Sequence, residues 1–316
     1  MEEMRGNNKI GIVGIGEVGA SLAFALVMSG PQKDIVLLDV NNDRALGQAM
    51  DLSHAASLIR PITVRTGSYE DLHDAQIIVI TAGTPRKSGE TRLNVAERNA
   101  TIVKEIIKEI IHVNNSAILI MVTNPVDVLT YIALKSSGFP SSRVIGSGTL
   151  LDSARFRTLL SNRCAIDARS IHAYVIGEHG DSEVPVWSSA IIGGTGISNF
   201  CFRCIHPCSV EERQEISNKV KGAGSEIIKY KGSTSYGIAI SVLRIIEAIL
   251  RDGNSVLSVS TLLKDYHGIS DVTVSVPCVV NGGGVVRTID INLSDEELAA
   301  FLKSAGIVRE TAEKLI

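Results

Sequence analysis

A histidine between glycines and an aspartate–arginine pair are the side chains of this sequence best suited to acid–base chemistry. His179 lies in Gly177-Glu-His-Gly-Asp181, and Asp152 and Arg155 stand three residues apart. That spacing puts both side chains on one face of a helix. An imidazole beside a carboxylate can give and take back a proton, and a guanidinium can hold a carboxylate with two parallel hydrogen bonds. Each of these features taken singly has another explanation: the histidine could be structural, and the aspartate and arginine could form a surface ion pair.

A second polar segment, residues 81–92, follows an apolar run and is rich in loop-forming and charged residues, including Arg92. We predict a mobile lid that closes over a substrate and brings Arg92 to its carbonyl oxygen. Reduction of a 2-oxo acid needs a carboxylate anchor, a proton donor, a polarised carbonyl and a dry site for hydride transfer. Arg155, His179 and Arg92 could supply the first three.

Three glycines and one aspartate predict a dinucleotide site. Gly14-Ile-Gly16-Glu-Val-Gly19 follows a predicted strand and begins a predicted helix, where backbone can approach a pyrophosphate. Asp39 ends the next predicted strand, and a carboxylate there accepts hydrogen bonds from the adenosine ribose and repels a 2′-phosphate, which favours NAD. Alternatively, the glycines only form a tight turn that Asp39 caps. The predicted cofactor-binding residues are Gly14, Gly16, Glu17, Val18, Gly19, Asp39, Thr81, Gly83 and Asn124.

These residues need a scaffold, and the first half of the chain predicts a parallel sheet buried on both faces. Short β-branched runs alternate with helical stretches, notably at residues 19–29 and 95–112, as in consecutive βαβ units. The predicted strands are residues 10–15, 35–40, 62–66, 76–81, 117–123 and 143–146.

The second half loses this alternation. Helices are predicted at 151–160, 209–229 and 236–251, a strand at 171–176, and an antiparallel hairpin from 272–276 and 285–291. Capping boxes predict helix starts at Ser209 and Ser294, the last helix running nearly to residue 316. The predicted fold class is α/β: a Rossmann-type doubly wound parallel sheet in an NAD-binding domain, residues 8–147, packed closely against an α+β substrate-binding and catalytic domain, residues 148–316.

Composition excludes several classes of protein. The chain is 45% hydrophobic and 21% charged, with a net charge of −3, so neither disorder nor nucleic-acid binding is indicated. The charged first nine residues exclude a signal peptide, and the apolar runs are too short for a membrane span, so we expect a cytoplasmic protein. Cys201, Cys204 and Cys208 have a spacing that suggests zinc. Without a second ligand pair we predict no metal, and reduced surface thiols on a loop before a helix.

Five motifs together resemble the L-lactate/malate dehydrogenase family, over about residues 8–316. They occur in the family's order and spacing, and they read GETRLN, VTNPVDV, GSGTLLDSARFR, YVIGEHGDSEVPVWS and KGSTSYGIA. The resemblance implies that His179 is the proton donor and acceptor, Asp152 its orienting partner, Arg155 the carboxylate anchor and Arg92 the carbonyl polariser. It also implies that Asn124 and Thr234 border the substrate.

The same resemblance implies a cis Asn124–Pro125 peptide and a homotetramer. Arg157 and His172 match positions that bind fructose 1,6-bisphosphate between subunits in bacterial lactate-type enzymes. Either residue could equally be an interface packing residue.

The motifs indicate two different substrates. Lactate-type members of the family usually carry glutamine where Arg86 stands, and malate-type members carry arginine there. Arg86 closing over oxaloacetate would pair with its second carboxylate, whereas the methyl of pyruvate would leave that charge unpaired. Thr234 and the surrounding motifs look lactate-type. The sequence therefore slightly favours oxaloacetate and L-malate over pyruvate and L-lactate, and a non-catalytic NAD-binding protein is the remote alternative.

Overall fold

A computed structural model describes residues 8–85, 89–204, 206 and 208–316, with the backbone alone at 92 and 202–204. In the first half, each strand is followed by a helix or by a short turn of 3₁₀ helix. The strands are β1 (Lys9–Val13), β2 (Asp34–Leu38), β3 (Thr63–Thr66), β4 (Ile77–Ile80), β5 (Ile118–Met121) and β6 (Val144–Gly146). The helices are α1 (Glu17–Ser29), α2 (Asn42–Ser57), α3 (Arg92–Val113) and α4 (Val126–Ser137).

These six strands pair in parallel in the order β6-β5-β4-β1-β2-β3. The central strands are buried along their whole length, because helices cover both faces of the sheet. The predicted Rossmann-type sheet is thereby confirmed, and all six strands lie where the β-branched runs predicted them. The carboxyl ends of β1, β2, β4 and β5 lead directly into the glycine turn, Asp39, the residue 81–92 segment and Asn124.

The second half mixes helices with antiparallel strands. Its helices are α5 (Leu150–Cys164), α6 (Ile197–Cys204), α7 (Val210–Lys231), α8 (Tyr236–Leu250) and α9 (Asp295–Glu313). Its strands are β7 (Ile171–Ile176), β8 (Val184–Ile192), β9 (Thr195–Gly196), β10 (Ser255–Leu262), β11 (Thr273–Asn281) and β12 (Gly284–Thr288). Helices α7 and α9 begin at the predicted capping boxes, where the side chains of Ser209 and Ser294 accept hydrogen bonds from backbone N–H groups.

The second half differs from the prediction in several elements. Strands β8, β9 and β10 and helix α6 were not predicted, and the hairpin of β11 and β12 ends at Thr288 instead of residue 291. Strand β10 pairs antiparallel with β11 and with β6, so the sheet continues from the first half into the second as nine strands. The main hydrophobic core accordingly includes residues of both halves. The proposed boundary near residue 147 stays a prediction.

The cysteine prediction was wrong in part. Cys201 lies in helix α6, not on a loop, and Cys201 and Cys208 are buried instead of exposed. Their sulfur atoms are 3.8 Å apart, in a second apolar core formed by α5, α6, α7 and the small β7-β8-β9 sheet. Small thiols pack in this core as apolar groups do. The side chain of Cys204 lies outside the described part of the chain.

Among the described residues, no helix combines the length and the apolar character that crossing a membrane requires. The cytoplasmic location stays a prediction.

Candidate active site

The glycine turn between β1 and α1 has the steric restrictions that its sequence predicted. Gly14 has φ +99°, and a Cβ on it would lie 2.5 Å from the backbone nitrogen of Ala82. A Cβ on Gly19 would lie 2.1 Å from the carbonyl oxygen of Gly14. A Cβ on Gly16 would meet no atom within 4 Å. Packing therefore requires glycine at 14 and 19, while Gly16 leaves space open at the N-terminus of α1, where backbone N–H groups favour an anion.

Asp39 follows β2 and is held against this turn. Its Oδ2 accepts a hydrogen bond from the backbone N–H of Ile15 at 2.6 Å, and its Oδ1 accepts one from Asn41 at 2.9 Å. The carboxylate does cap the turn, as the alternative interpretation expected. Because each carboxylate oxygen accepts more than one hydrogen bond, Asp39 also retains acceptor capacity for a ribose.

A cleft of about 900 Å³ opens along the carboxyl ends of the strands. Its volume and its largely apolar lining suit an organic ligand of dinucleotide size, with Asp39 as a polar contact at one side. Five predicted cofactor-binding residues line it: Gly14, Gly16, Asp39, Thr81 and Gly83. Glu17 and Val18 begin α1, where Glu17 is 3.7 Å from Arg44 and Val18 packs on the core. The residues present fit NAD.

The predicted catalytic side chains converge in the second half. Nδ1 of His179 lies 2.6 Å from Oδ2 of Asp152, and Nη1 of Arg155 donates to Oδ1 of the same carboxylate at 2.7 Å. Asp152 is 1% exposed, Arg155 17% and His179 26%. Helix α5 presents the aspartate and the arginine on one face, as their spacing predicted. One buried carboxylate therefore supports both a proton-transfer group and a cation that remain open to a ligand.

His179 is held in place by the loop that follows β7. Gly177, at φ +89°, exchanges two backbone hydrogen bonds with Ser275 of β11, and the next N–H, of Glu178, donates to Ser304 of α9. The backbone N–H of His179 donates to Oδ2 of Asp127 at 2.6 Å. Three successive backbone groups are thus anchored to three different elements, which fixes the imidazole beside α5.

Electrostatics favour a charged imidazole. Burial lowers the pKa of His179, but the charge of Asp152 and its hydrogen bond outweigh burial and, with Asp127 and Glu183, raise that pKa to about 9. Burial opposes ionisation of Asp152 as well, yet the charges of His179 and Arg155 hold the pKa of Asp152 below its ordinary value. At neutral pH the pair is therefore an imidazolium beside a carboxylate, ready to donate a proton.

Asn124 connects the two halves of the site. Its peptide bond to Pro125 is cis, as the resemblance implied, and its carbonyl oxygen accepts a hydrogen bond from Asn99 of α3 at 2.8 Å. The side chain of Asn124 is exposed at the end of β5. Asp127, three residues later, reaches the His179 backbone, so this segment joins the cofactor cleft to the catalytic loop.

The structure describes the remaining predicted site residues less completely. Thr234 is half-buried in the turn between α7 and α8, near the point where Gly237 packs over Leu151 of α5. Arg92 begins α3 after the N-cap Thr91, and its side chain lies outside the described residues, as does Arg86 altogether. Their roles stay predictions.

The two predicted effector residues lie on neighbouring elements. Arg157 is half-buried on α5, and His172 is exposed on the adjoining strand β7. Burial lowers the pKa of Arg157. Anion binding between subunits stays a prediction.

Two buried carboxyl groups of the site were missed at the sequence level. Asp127 and Glu183 are 1% and 3% exposed, and both act on the pKa of His179. Each falls inside a motif that was noticed, VTNPVDV and YVIGEHGDSEVPVWS, but the position within the motif does not reveal burial. Only the packing of α4 and β8 against the catalytic loop brings them there.

Comparisons with known proteins identify one family along almost the whole chain. Residues 8–146 match the family model for the lactate/malate dehydrogenase NAD binding domain, and residues 149–316 match that for the alpha/beta C-terminal domain. The L-lactate dehydrogenase of Thermoanaerobacter sp. (strain X514) is 49% identical over 308 residues, which cover 98% of this chain and 99% of that protein. L-lactate dehydrogenase 1 of Clostridium acetobutylicum is 46% identical over 312 residues, covering 99% of this chain and all of that protein (100%).

Solved structures of similar proteins superpose over almost the whole chain. The minor L-lactate dehydrogenase from Enterococcus mundtii, in a ligand-bound form, superposes with a TM-score of 0.95 at 38% identity, covering 98% of this chain and 99% of that one. A lactate dehydrogenase from a Medee basin deep-sea metagenome library, MGS-M5, gives a TM-score of 0.94 at 40% identity with the same coverage.

Proposed function

Because this chain belongs to the lactate/malate dehydrogenase family and carries its NAD-binding domain, we propose that it is an L-lactate dehydrogenase that interconverts pyruvate and L-lactate. The observation that carries the chemistry is the joint hydrogen bonding of His179 and Arg155 to the buried carboxylate of Asp152. This arrangement places a proton donor beside a group that can bind a carboxylate, and reduction of a 2-oxo acid requires both.

Arg155 is the anchor in this mechanism. One of its N–H groups is taken by Asp152, which fixes the plane of the guanidinium and leaves other donors of the fork for a substrate carboxylate. Two parallel charge-assisted bonds orient the substrate as well as bind it. The carbonyl group is then held at a fixed distance from the imidazole.

His179 moves the proton. When bound, NADH supplies a hydride to the carbonyl carbon. The imidazolium donates its Nε2 proton to the carbonyl oxygen, which becomes the hydroxyl of L-lactate, while the Nδ1–H group keeps its hydrogen bond to Asp152. In oxidation the neutral imidazole accepts that proton back. Asp152 keeps the ring oriented in both directions and stabilises its charged form.

The choice of pyruvate over oxaloacetate rests on the relatives. The sequence slightly favoured oxaloacetate because of Arg86. The similar proteins reported above, however, are named L-lactate dehydrogenases, and each matches this chain along nearly its whole length. Thr234 and the motifs around it support the same choice. Arg86 is the one feature that favours malate, and it lies outside the described residues.

A steady-state comparison tests this proposal. With NADH, we expect kcat/KM for pyruvate to exceed that for oxaloacetate by about tenfold or more. A preference for oxaloacetate would assign the chain to malate oxidation, and NADH binding without turnover of either acid would indicate a non-catalytic protein. Arg86→Gln should raise the pyruvate preference further by about tenfold, since it removes the partner of a second carboxylate. Lys87→Gln is the control for loss of a neighbouring charge.

We further propose that the chain assembles as a homotetramer. Large apolar side chains are exposed on the outer faces of α1 and α2, namely Phe24, Met28, Leu46 and Met50, each about half exposed. Exposed apolar surface of this kind is typical of subunit interfaces. Light scattering after size-exclusion chromatography measures the subunit number, and a monomer would contradict the proposal. Adding fructose 1,6-bisphosphate in activity assays of wild type and Arg157→Gln tests the effector site.

A further inference from the structure

Glu183 is a buried carboxyl group for which the mechanism above has no use. It immediately precedes β8 and is 3% exposed. One of its carboxylate oxygens lies within 4.8 Å of a carboxylate oxygen of Asp152 and of a ring nitrogen of His179. Its Oε1 is buried and accepts no hydrogen bond from any residue that the structure describes. Such an atom in the middle of a catalytic site calls for a physical explanation.

An ionised Glu183 would be unfavourable here. A carboxylate taken out of water without donors loses its hydration, and the negative charge of Asp152 lies close by. Burial and that charge raise the pKa of Glu183 to about 8, although His179, Lys221 of α7 and Arg155 act against the rise. These four groups are the charged neighbours that act on Glu183 from α5, α7 and the catalytic loop.

The protonation of Glu183 decides the charge of the substrate end of the site. With the proton present, Asp152 is the carboxylate that pairs directly with the side chains of His179 and Arg155, while Asp127 binds the His179 backbone. Arg155 then keeps donors for the carboxylate of a substrate. With the proton lost, a further negative charge acts on Arg155 and competes with the substrate for it.

We propose that Glu183 serves this enzyme as a buried carboxylic acid, whose proton keeps a further negative charge away from Arg155 and His179 and whose ionisation weakens binding of the substrate carboxylate. Glu183 acts through Arg155 and His179, so it is a positioning residue. The inference rests on the proposed function, since it concerns affinity for a 2-hydroxy or 2-oxo acid.

The oxidation direction separates Glu183 from His179. In reduction, loss of the His179 proton also weakens the reaction as pH rises, so both groups change the rate in the same sense. In oxidation the neutral imidazole is the reactive form, and its deprotonation favours L-lactate. A rise in KM for L-lactate at high pH therefore reports Glu183 and not His179.

The experiment is the pH dependence of KM for L-lactate with saturating NAD in wild type and Glu183→Gln. Between about pH 7 and pH 9.5 we expect the wild-type KM to rise about tenfold relative to that of Glu183→Gln, whose KM should not rise because loss of the His179 proton favours L-lactate. Glu183→Met, also uncharged and of similar length, should behave like Glu183→Gln. Infrared difference spectra of wild type minus Glu183→Gln at neutral pH should contain the carbonyl stretch of a protonated carboxylic acid.

Glu178→Gln is the matched control, because it removes a carboxylate of the same loop that is only half-buried and accepts a hydrogen bond from Ser182. It should keep the wild-type pH dependence. The same rise of KM in wild type and in both Glu183 variants, or the absence of the infrared band, would overturn the inference while leaving lactate oxidation intact. An enzyme that oxidises no L-lactate at any pH would instead contradict the proposed function, and the infrared measurement would still test the proton on Glu183.

Discussion

The carboxylate of Asp127 accepts a hydrogen bond from the backbone N–H of His179 at 2.6 Å, so the histidine is held by its main chain as well as by its ring. Asp127 is buried on α4, and Ser275 of β11 lies 3.3 Å from its other oxygen. Burial raises the pKa of Asp127 to about 6, although the bond from His179 opposes that rise. At neutral pH its charge also supports the imidazolium. The helix after the cis peptide therefore positions the proposed proton donor.

Asp127→Asn is expected to lower kcat for pyruvate reduction by about 10-fold to 100-fold, because a charge-assisted bond of about 1.5–3 kcal/mol is lost or weakened at the catalytic loop. The variant should also shift the pH at which reduction declines to a lower value, since a negative charge near His179 is gone. Asp51→Asn, at an exposed position of α2, is the control. An unchanged pH profile with lower kcat would indicate a structural role only.

The pH dependence of reduction follows from His179. Since the pKa of the imidazole is raised to about 9, its charged form persists through neutral pH and is lost as pH rises through about 9. We expect kcat/KM for pyruvate to fall in that range and kcat for L-lactate oxidation to increase as the imidazole becomes neutral. Asp152→Asn should move both transitions toward the ordinary histidine value and lower kcat about 100-fold or more. A profile that stays flat from about pH 6 to pH 10 would contradict the assignment of His179 as proton donor.

Arg155→Lys tests the carboxylate anchor. Lysine keeps the charge but cannot form the planar two-bond contact, so we expect kcat/KM for pyruvate to fall about 100-fold or more, with much of the loss in KM. Arg163→Lys makes the same change in the last turn of the same helix, where Arg163 lies 3.5 Å from Glu212 and away from Asp152. Similar losses in the two variants would show that α5 is sensitive to the substitution as such.

Asp39→Ser tests cofactor choice. The variant removes the charge that would repel a 2′-phosphate while leaving a hydroxyl for the turn, so kcat/KM for NADH should decrease and the NADPH-to-NADH ratio should rise about tenfold. The ratio is measured at fixed pyruvate with both reduced cofactors. Asp43→Ser removes an exposed carboxylate in the first turn of α2 and should leave the ratio unchanged. Equal ratios in wild type and Asp39→Ser would mean that Asp39 only caps the turn.

Much of this molecule could be predicted from its sequence, for identifiable physical reasons. Strands buried on both faces leave continuous β-branched runs, so all six parallel strands were found. Strand β10 was missed because its Ser-Val-Leu-Ser-Val-Ser-Thr-Leu pattern looks polar. Ser258 of this strand can be buried because it donates a hydrogen bond to the carbonyl oxygen of Val175 on β7. Such compensation depends on tertiary contacts and leaves no local pattern.

The site, too, could be predicted from the sequence only in part. Asp152, Arg155 and His179 could be recognised by residue type and spacing, since their chemistry depends on local geometry within one helix and one turn. The contributions of Asp127 and Glu183 depend on burial, which arises only when α4, β8 and the catalytic loop pack together. The buried positions of Cys201 and Cys208 were missed for the same reason.

The antiparallel pairing of β10 with β6 determines how the chain can be divided. Helix α5, which carries Asp152 and Arg155, begins four residues after β6 ends. The sheet edge at β6 is covered by β10, a strand from beyond residue 250. A fragment ending at residue 147 would leave that edge unpaired and would associate with other copies of itself. Neither half is therefore a transferable module, and heating should melt the cofactor cleft and the catalytic loop in a single cooperative transition.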